Sequence, residues 1–259
     1  MVIESESDLA QIHTVKKPYF ILGKGSNTVI DPHGRYNTIL QVSPSYQAPV
    51  ANGTEVHVGA GVSVKHFLDF SVASGLSGLE FAAGVPASIG GMTVMNFGCW
   101  GSDMAEFVDR VQVWTAAKGC HWLSHTDMDY SYRSSSIQHT PDTLVLSVVL
   151  QLRTEQSDTI RERIHRYIRE RAAKQPIRDK TFGSTFKNPP ENFAAALIES
   201  VGLKGMSFGG VQISERHANF LVNTGDASFE DIQNCLRTAK EKVKETHGID
   251  LESEVKFAS

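Results

Sequence analysis

ILGKGSNTVI, residues 21–30, is a short apolar strand pattern that runs into Gly-Lys-Gly-Ser-Asn and out into a second β-like run. Successive small residues let backbone N–H groups converge on an anion, so a phosphate cradle is one reading. A glycine turn between two strands is the plainer one for the stretch taken alone. The spacing fits neither GxxxxGK(S/T) nor GxGxxG, which disfavours both a P-loop and the standard dinucleotide fingerprint.

Around this stretch the chain alternates β-like runs with turns: YFILG (19–23), TILQVS (38–43) and VHVGAG (56–61), separated by DPHG and ANG. SVKHFLDFSVASG (63–75) puts Val64, Phe67, Leu68 and Val72 on one helical face, with Gly75 as terminator. GLEFAAGVPASIGGMTVMNFGCWGSD (78–103) is too apolar for a solvent linker, and its small residues suit backbone packed closely against something flat or bulky. RVQVW (110–114) and CHWLSH (120–125) read as a hairpin across AAKG, and TLVLSVVLQL (143–152) is the strongest strand pattern in the chain.

From Asp158 the pattern becomes helical. DTIRERIHRYIRERAAK carries Ile160, Ile164, Tyr167 and Ile168 on one stripe, with arginines opposite. A domain boundary is expected just before it, dividing the chain into residues 1–152 and 153–259. Beyond lie FGSTFKNPP (182–190), an apolar helix FAAALIESVG (193–202), strand patterns in GMSFGGVQIS (205–214) and NFLVN (219–223), and a final strand LESEVKF (251–257). Ser228 is placed to cap a long helix, with Asp231 three residues on and Ile232, Leu236, Ala239 and Val243 inward.

The 259 residues carry a formal charge of -4, with 41% apolar and 21% charged residues, which is ordinary for a globular protein. A mildly acidic balance gives no electrostatic reason to expect nucleic-acid or anionic-membrane binding. No apolar run is long enough to span a bilayer, and MVIESESDLAQ lacks the pattern of a secretory signal, so a soluble, cytoplasmic protein is expected. The three cysteines show no CxxC spacing and the ten histidines no HExxH, so neither a disulfide framework nor a metal site is expected.

Several residues stand out against plainer readings. Arg161, Arg163, Arg166, Arg169 and Arg171 are interleaved with Asp158, Glu162 and Glu170, which reads as a solvated face rather than a nucleic-acid surface. Lys174 carries the helix's last positive charge toward FGSTFKNPP. Arg133, in YSYRSSS (130–136), could pair with a surface carboxylate or present its planar fork to a substrate carboxylate. Ser184 could be a turn residue or part of a polar site, and Glu254 needs only to be an outward polar position in the last strand.

Together and in order, LGKGSN, GLEFAAGVPASIGG, MNFGCWG, YSYRSS, GSTFKNP, GLKGMSFGGVQISERHANFLVN and LESEVKF resemble the UDP-N-acetylenolpyruvoylglucosamine reductase (MurB) family. The resemblance implies an α+β chain. An FAD-binding domain of the vanillyl-alcohol-oxidase/PCMH type would be followed by a smaller C-terminal substrate domain. It also implies FAD as cofactor, NADPH as reductant and UDP-N-acetylglucosamine enolpyruvate as substrate, in peptidoglycan precursor synthesis. A monomer is expected. The alternative is a non-catalytic sugar-nucleotide-binding relative that has lost tight FAD binding.

The resemblance also assigns residues. Ser184 matches the general-acid serine, and Arg133 and Glu254 match positions that bind and polarise the substrate carboxylate. Lys187 and Asn188 are expected to support Ser184, and Lys174 matches a lysine that contacts the substrate diphosphate. For FAD, Gly23, Lys24, Gly25, Ser26 and Asn27 match the diphosphate loop. Val85, Pro86, Ser88, Gly90, Gly91 and Gly98 match a second flavin-contacting stretch.

Some positions depart from the family pattern: Ala87 for glycine, Phe97 and Cys99 for small residues, Trp100 for tyrosine, and Lys256 for arginine. The chain looks like the short type without an extra loop. The family segment that precedes the LGxGSN strand is expected to be missing.

Overall fold

A computed structural model describes residues 1–258. Contacts divide the chain into two compact units: Met1–Lys24 with Tyr36–Arg169, and Gly25–Arg35 with the chain from Glu170 onward.

The first unit is built on an antiparallel five-stranded sheet in the order Gly119–Ser124, Val108–Thr115, Leu144–Gln151, Glu55–Gly59, Val50–Asn52. The expected hairpin is present, with Gln112 opposite Trp122. Leu144–Gln151 is the central strand and is buried at every position but its last, which is why its sequence reads as a continuous apolar run rather than an alternation. A smaller parallel sheet places Thr38–Val42 between Val2–Ile3 and Tyr19–Ile21.

The helix Val64–Ser74 starts at Ser63, whose Oγ accepts the His66 N–H, and stops at Gly75 in the left-handed region. It buries Val64, Phe67 and Leu68 as expected, with Ser71 rather than Val72 completing the face.

The helix Ser157–Lys174 corrects one expectation. Arg163 is not on a solvated face: its Nη1 donates to Glu80 Oε1 and to Ser77 Oγ, both at 2.9 Å, and its Nη2 to Glu155 Oε1 at 2.8 Å. Glu80 is 2% exposed, and a carboxylate so deeply buried needs a cation. Arg171 is buried as well. Ile168, expected inward, is exposed. With Ile160 and Arg163 committed to the first unit, contacts divide the chain at Arg169 and Glu170, inside this helix, whereas the sequence pattern suggests 152 and 153.

The second unit packs Phe186, Leu197, Ile198, Val211, Ile213, Leu221, Leu236 and Val243 into one core. The helix Phe229–His247 is opened by the expected capping box of Ser228 and Asp231, and it buries Cys235, Leu236, Ala239 and Val243. Its strands Ser207–Phe208, Val211–Ile213 and Leu221–Asn223 form an antiparallel sheet, while Lys256–Ala258 pairs in parallel with Thr28–Ile30. Among the described residues no helix is long and apolar enough to cross a membrane.

Candidate active site

In the first unit, residues 85–91 are pinned to the chain that follows the strand Glu55–Gly59. Gly90 N–H donates to Ala60 O at 2.9 Å, Ile89 N–H to Val62 O at 2.9 Å, and Val64 N–H to Ala87 O at 3.0 Å. A Cβ on Gly90 would lie 2.6 Å from Ala60 Cβ, so this approach needs glycine. Ser88 caps the short helix Ile89–Val94 by accepting the Gly91 N–H at 3.3 Å. Val85 is half-buried and Pro86 exposed.

Gly23 faces the same turn: a Cβ there would lie 3.1 Å from Ser88 Oγ and 3.7 Å from Gly91 Cα. The two glycine stretches thus meet with only the Ser88 hydroxyl between them. A surface of such small residues leaves room for the close approach of a cofactor diphosphate. Lys24 follows Gly23 as the last residue of this unit before the chain crosses to the second.

Gly98 lies in the strand Gly98–Cys99, paired with Ser102–Asp103, and its carbonyl accepts Arg133 Nη2 at 2.8 Å. Arg133 is the third residue of a turn closed by Ser131 N–H to Ser134 O at 3.2 Å and Ser134 N–H to Ser131 O at 3.1 Å. Its φ of 57° is left-handed, a conformation that turns usually give to glycine or asparagine.

Buried Asn96 and Ser135 and half-buried Gln138 hold this turn in place. Asn96 Nδ2 donates to Ser131 O at 3.0 Å while its Oδ1 accepts the Ala105 N–H at 3.0 Å. Ser135 Oγ donates to Val94 O at 2.6 Å, and Gln138 Nε2 donates to both Val94 O and Arg133 O at 3.0 Å. Burial pushes the neighbouring Tyr130 phenol well above its ordinary range.

In the second unit, residues 184–187 run extended between two other segments. Ser184 bridges Phe220, and Phe186 bridges Ser253. Thr185 N–H donates to Asn219 O at 2.8 Å, Glu254 N–H to Thr185 O at 2.9 Å, and Lys187 N–H to Glu252 O at 2.9 Å. Ser184 and Glu254, 70 positions apart in sequence numbering (254 − 184), are therefore both anchored on Thr185: one by the chain and one by a hydrogen bond.

The glycine loop continues here. Asn27 Nδ2 donates to Glu254 O at 3.1 Å and its carbonyl accepts the Lys256 N–H at 3.0 Å. Gly25 turns with a φ of 72°, and a Cβ on Gly183 would come 3.8 Å from Ser26 O.

The remaining expected residues have other engagements. Lys187 Nζ pairs with Glu252 Oε1 at 2.6 Å. Desolvation and the Lys187 charge pull the Lys256 ammonium below the usual lysine range. Asn188 Oδ1 accepts the Ala194 N–H at 3.0 Å, holding the start of the helix Ala194–Ser200, whose N-cap Phe193 offers no side-chain acceptor. Lys174 is exposed in the last turn of its helix, where a cation complements the helix dipole.

Two residues escaped the sequence reading: Asn96 and Asn219. The available signal was an amide set beside an aromatic in an otherwise apolar stretch, MNF and ANF. Such an amide, once buried, must be bonded.

Residues 175–258 match the family described as UDP-N-acetylenolpyruvoylglucosamine reductase, C-terminal domain, and residues 4–124 match a family described as FAD binding domain. The UDP-N-acetylenolpyruvoylglucosamine reductase of Caldanaerobacter subterraneus subsp. tengcongensis is 36% identical over 249 residues, covering 96% of this chain and 82% of the relative. The chain belongs to the UDP-N-acetylenolpyruvoylglucosamine reductase family. The Bacillus subtilis member of this reductase family is 35% identical over 262 residues, covering 99% of this chain and 86% of its own. The crystal structure of the Thermus caldophilus reductase (MurB) matches with a TM-score of 0.86 at 31% identity, over 100% of this chain and 91% of that one. An FAD-binding domain followed by a reductase C-terminal domain, of mixed helix and strand, is thus the architecture of this chain.

Proposed function

We propose that this chain reduces UDP-N-acetylglucosamine enolpyruvate to UDP-N-acetylmuramic acid with NADPH as the reductant and FAD as cofactor, in peptidoglycan precursor synthesis. The observation that carries this reading is the 36% identity to a reductase over 96% of the chain, rather than any single motif. Bound FAD would supply the hydride chemistry that links NADPH to the vinyl carbon of the enolpyruvyl ether.

The protein's part is binding, electrostatics and one proton. Hydride addition leaves negative charge delocalised into the substrate carboxylate, and this charge must be stabilised before the neighbouring carbon is protonated. In our reading the Arg133 guanidinium binds that carboxylate and Glu254 helps polarise it. The Ser184 hydroxyl gives the proton.

An unaided serine is a poor acid, so nearby cations must favour its alkoxide. Lys187 and Lys256, whose charges bear on one another, are the nearby candidates. Lys174 is assigned to the substrate diphosphate, and Asn188 to supporting the Ser184 segment through its bond to Ala194. The small-residue surface at Gly23, Ser88, Gly90 and Gly91, with Lys24, Gly25, Ser26, Asn27, Val85, Pro86 and Gly98, is assigned to FAD. We further read the chain as a cytoplasmic monomer. A non-catalytic role is not favoured, because the family blocks extend through both units.

The test is a titration followed by visible absorbance. The chain is expected to take up FAD, to lose the flavin band on anaerobic addition of NADPH, and to recover it when the enolpyruvyl substrate is added. Absence of a bound flavin band at saturating FAD would overturn the cofactor reading. Bleaching without recovery would overturn the substrate reading.

A further inference from the structure

Arg133 is held by more than its hydrogen bond to Gly98. Its guanidinium carbon lies 5.4 Å from the centroid of the Phe97 ring and 5.1 Å from that of Tyr132, both within the range of a cation–π contact. Phe97 is itself stacked on Phe81, with centroids 6.2 Å apart and planes at 11°, and Phe81 stacks in turn on buried Phe107 at 6.2 Å and 23°. A file of rings therefore runs from the core of the first unit out to this arginine.

Tyr132, at the other end of the file, is 53% exposed, so core packing does not account for an aromatic residue there. A small side chain at position 97 could not reach Arg133.

We propose that Phe97 and Tyr132 are positioning residues that hold the Arg133 guanidinium against two aromatic rings and so fix its orientation for the substrate carboxylate. The physical need is clear from the backbone. Arg133 sits in a left-handed turn at φ 57°, on a long side chain with about 2 kcal/mol of rotamer entropy to lose. Two rings and one carbonyl remove that freedom before substrate arrives, leaving less to lose on binding. The inference rests on the assignment of Arg133 to the carboxylate.

Anaerobic stopped-flow on FAD-loaded protein separates flavin reduction by NADPH from reoxidation by the enolpyruvyl substrate. Phe97→Leu and Tyr132→Leu are each expected to raise the substrate concentration for half-saturation of reoxidation about two- to fivefold. The reduction rate should be unchanged, and Tyr132→Phe should behave as the parent protein. Neither Leu variant should add to the loss in an Arg133→Ala background.

A readout independent of turnover is the Arg133 Nε–Hε resonance of the flavin-free protein. Ring currents shift it upfield, and each Leu variant should move it back. Should Phe97→Leu disturb folding, Tyr132→Leu, at an exposed position, carries the test alone.

Parent-like reoxidation in Tyr132→Leu, equal loss in both half-reactions, or losses that persist without Arg133 would each overturn the proposal. Arg133→Ala with unaltered substrate dependence would overturn the carboxylate assignment instead.

Discussion

Asn219 closes both hydrogen-bonding groups of Phe186 with a single side chain: its Oδ1 accepts the Phe186 N–H at 2.9 Å and its Nδ2 donates to the Phe186 carbonyl at 2.8 Å. Both residues are buried, so Asn219→Leu would strand a donor and an acceptor away from water, at roughly 1–3 kcal/mol each. A fall in Tm of several degrees is expected. Because the same segment carries Ser184, reoxidation of the flavin by substrate should slow as well. A Tm equal to that of the parent protein would show that the chain re-pairs these groups.

Ser184→Ala removes only the proposed proton donor. Its backbone pairing with Phe220 needs no side chain, so folding and flavin reduction by NADPH should survive. Reoxidation by the enolpyruvyl substrate should fall by about two orders of magnitude or more, in line with loss of a general acid. Equal losses in the two half-reactions, measured by anaerobic stopped-flow, would remove Ser184 from that role.

Arg133→Gly sets conformation against chemistry. Glycine accepts the left-handed turn without the roughly 1–2 kcal/mol that a side chain costs there. That gain offsets the lost contacts to Gly98, Phe97 and Tyr132. Tm measured by scanning calorimetry should therefore stay within a few degrees of the parent value, while substrate-driven reoxidation drops about tenfold or more.

Arg163→Ala tests the buried cluster it forms with Glu80 and Glu155. Removing the cation leaves Glu80 uncompensated, and a loss of about 3–5 kcal/mol in urea unfolding is expected at neutral pH. The hydrogen bonds from Arg163 and then Ser77 hold the Glu155 carboxyl below its ordinary pKa of 4.5. A depressed carboxylate contributes stability above its unfolded pKa and loses it as pH falls through the folded value. Between neutral pH and about pH 3, the parent protein should therefore lose more stability than the variant, and parallel profiles would contradict this.

What the sequence makes legible depends on how locally each feature is encoded. The central strand Leu144–Gln151 and the helix Phe229–His247 carry their signals within themselves, as an unbroken apolar run and as a capping box with a periodic face. Arg163 does not. Its local charge pattern is that of its solvated neighbours, and only the distant buried Glu80 turns it inward. The grouping of Ser184 with Glu254 on Thr185 is equally non-local and entered through resemblance, since neither residue is distinctive where it stands. Phe97 stands out in the sequence only as a departure from the family pattern and Tyr132 not at all, because the approach of Arg133 to both depends on a turn that only the folded chain reveals.

The pairing of Thr28–Ile30 with Lys256–Ala258 also bears on how the protein is made. Asn27 and Glu254, bonded beside it, are 227 positions apart. At about 5–20 residues per second, residues 25–35 would leave the ribosome tens of seconds before their partner strand is synthesised. The first unit must therefore fold around a looped-out segment that it does not use. Completion of the second unit waits until Lys256–Ala258 has been made.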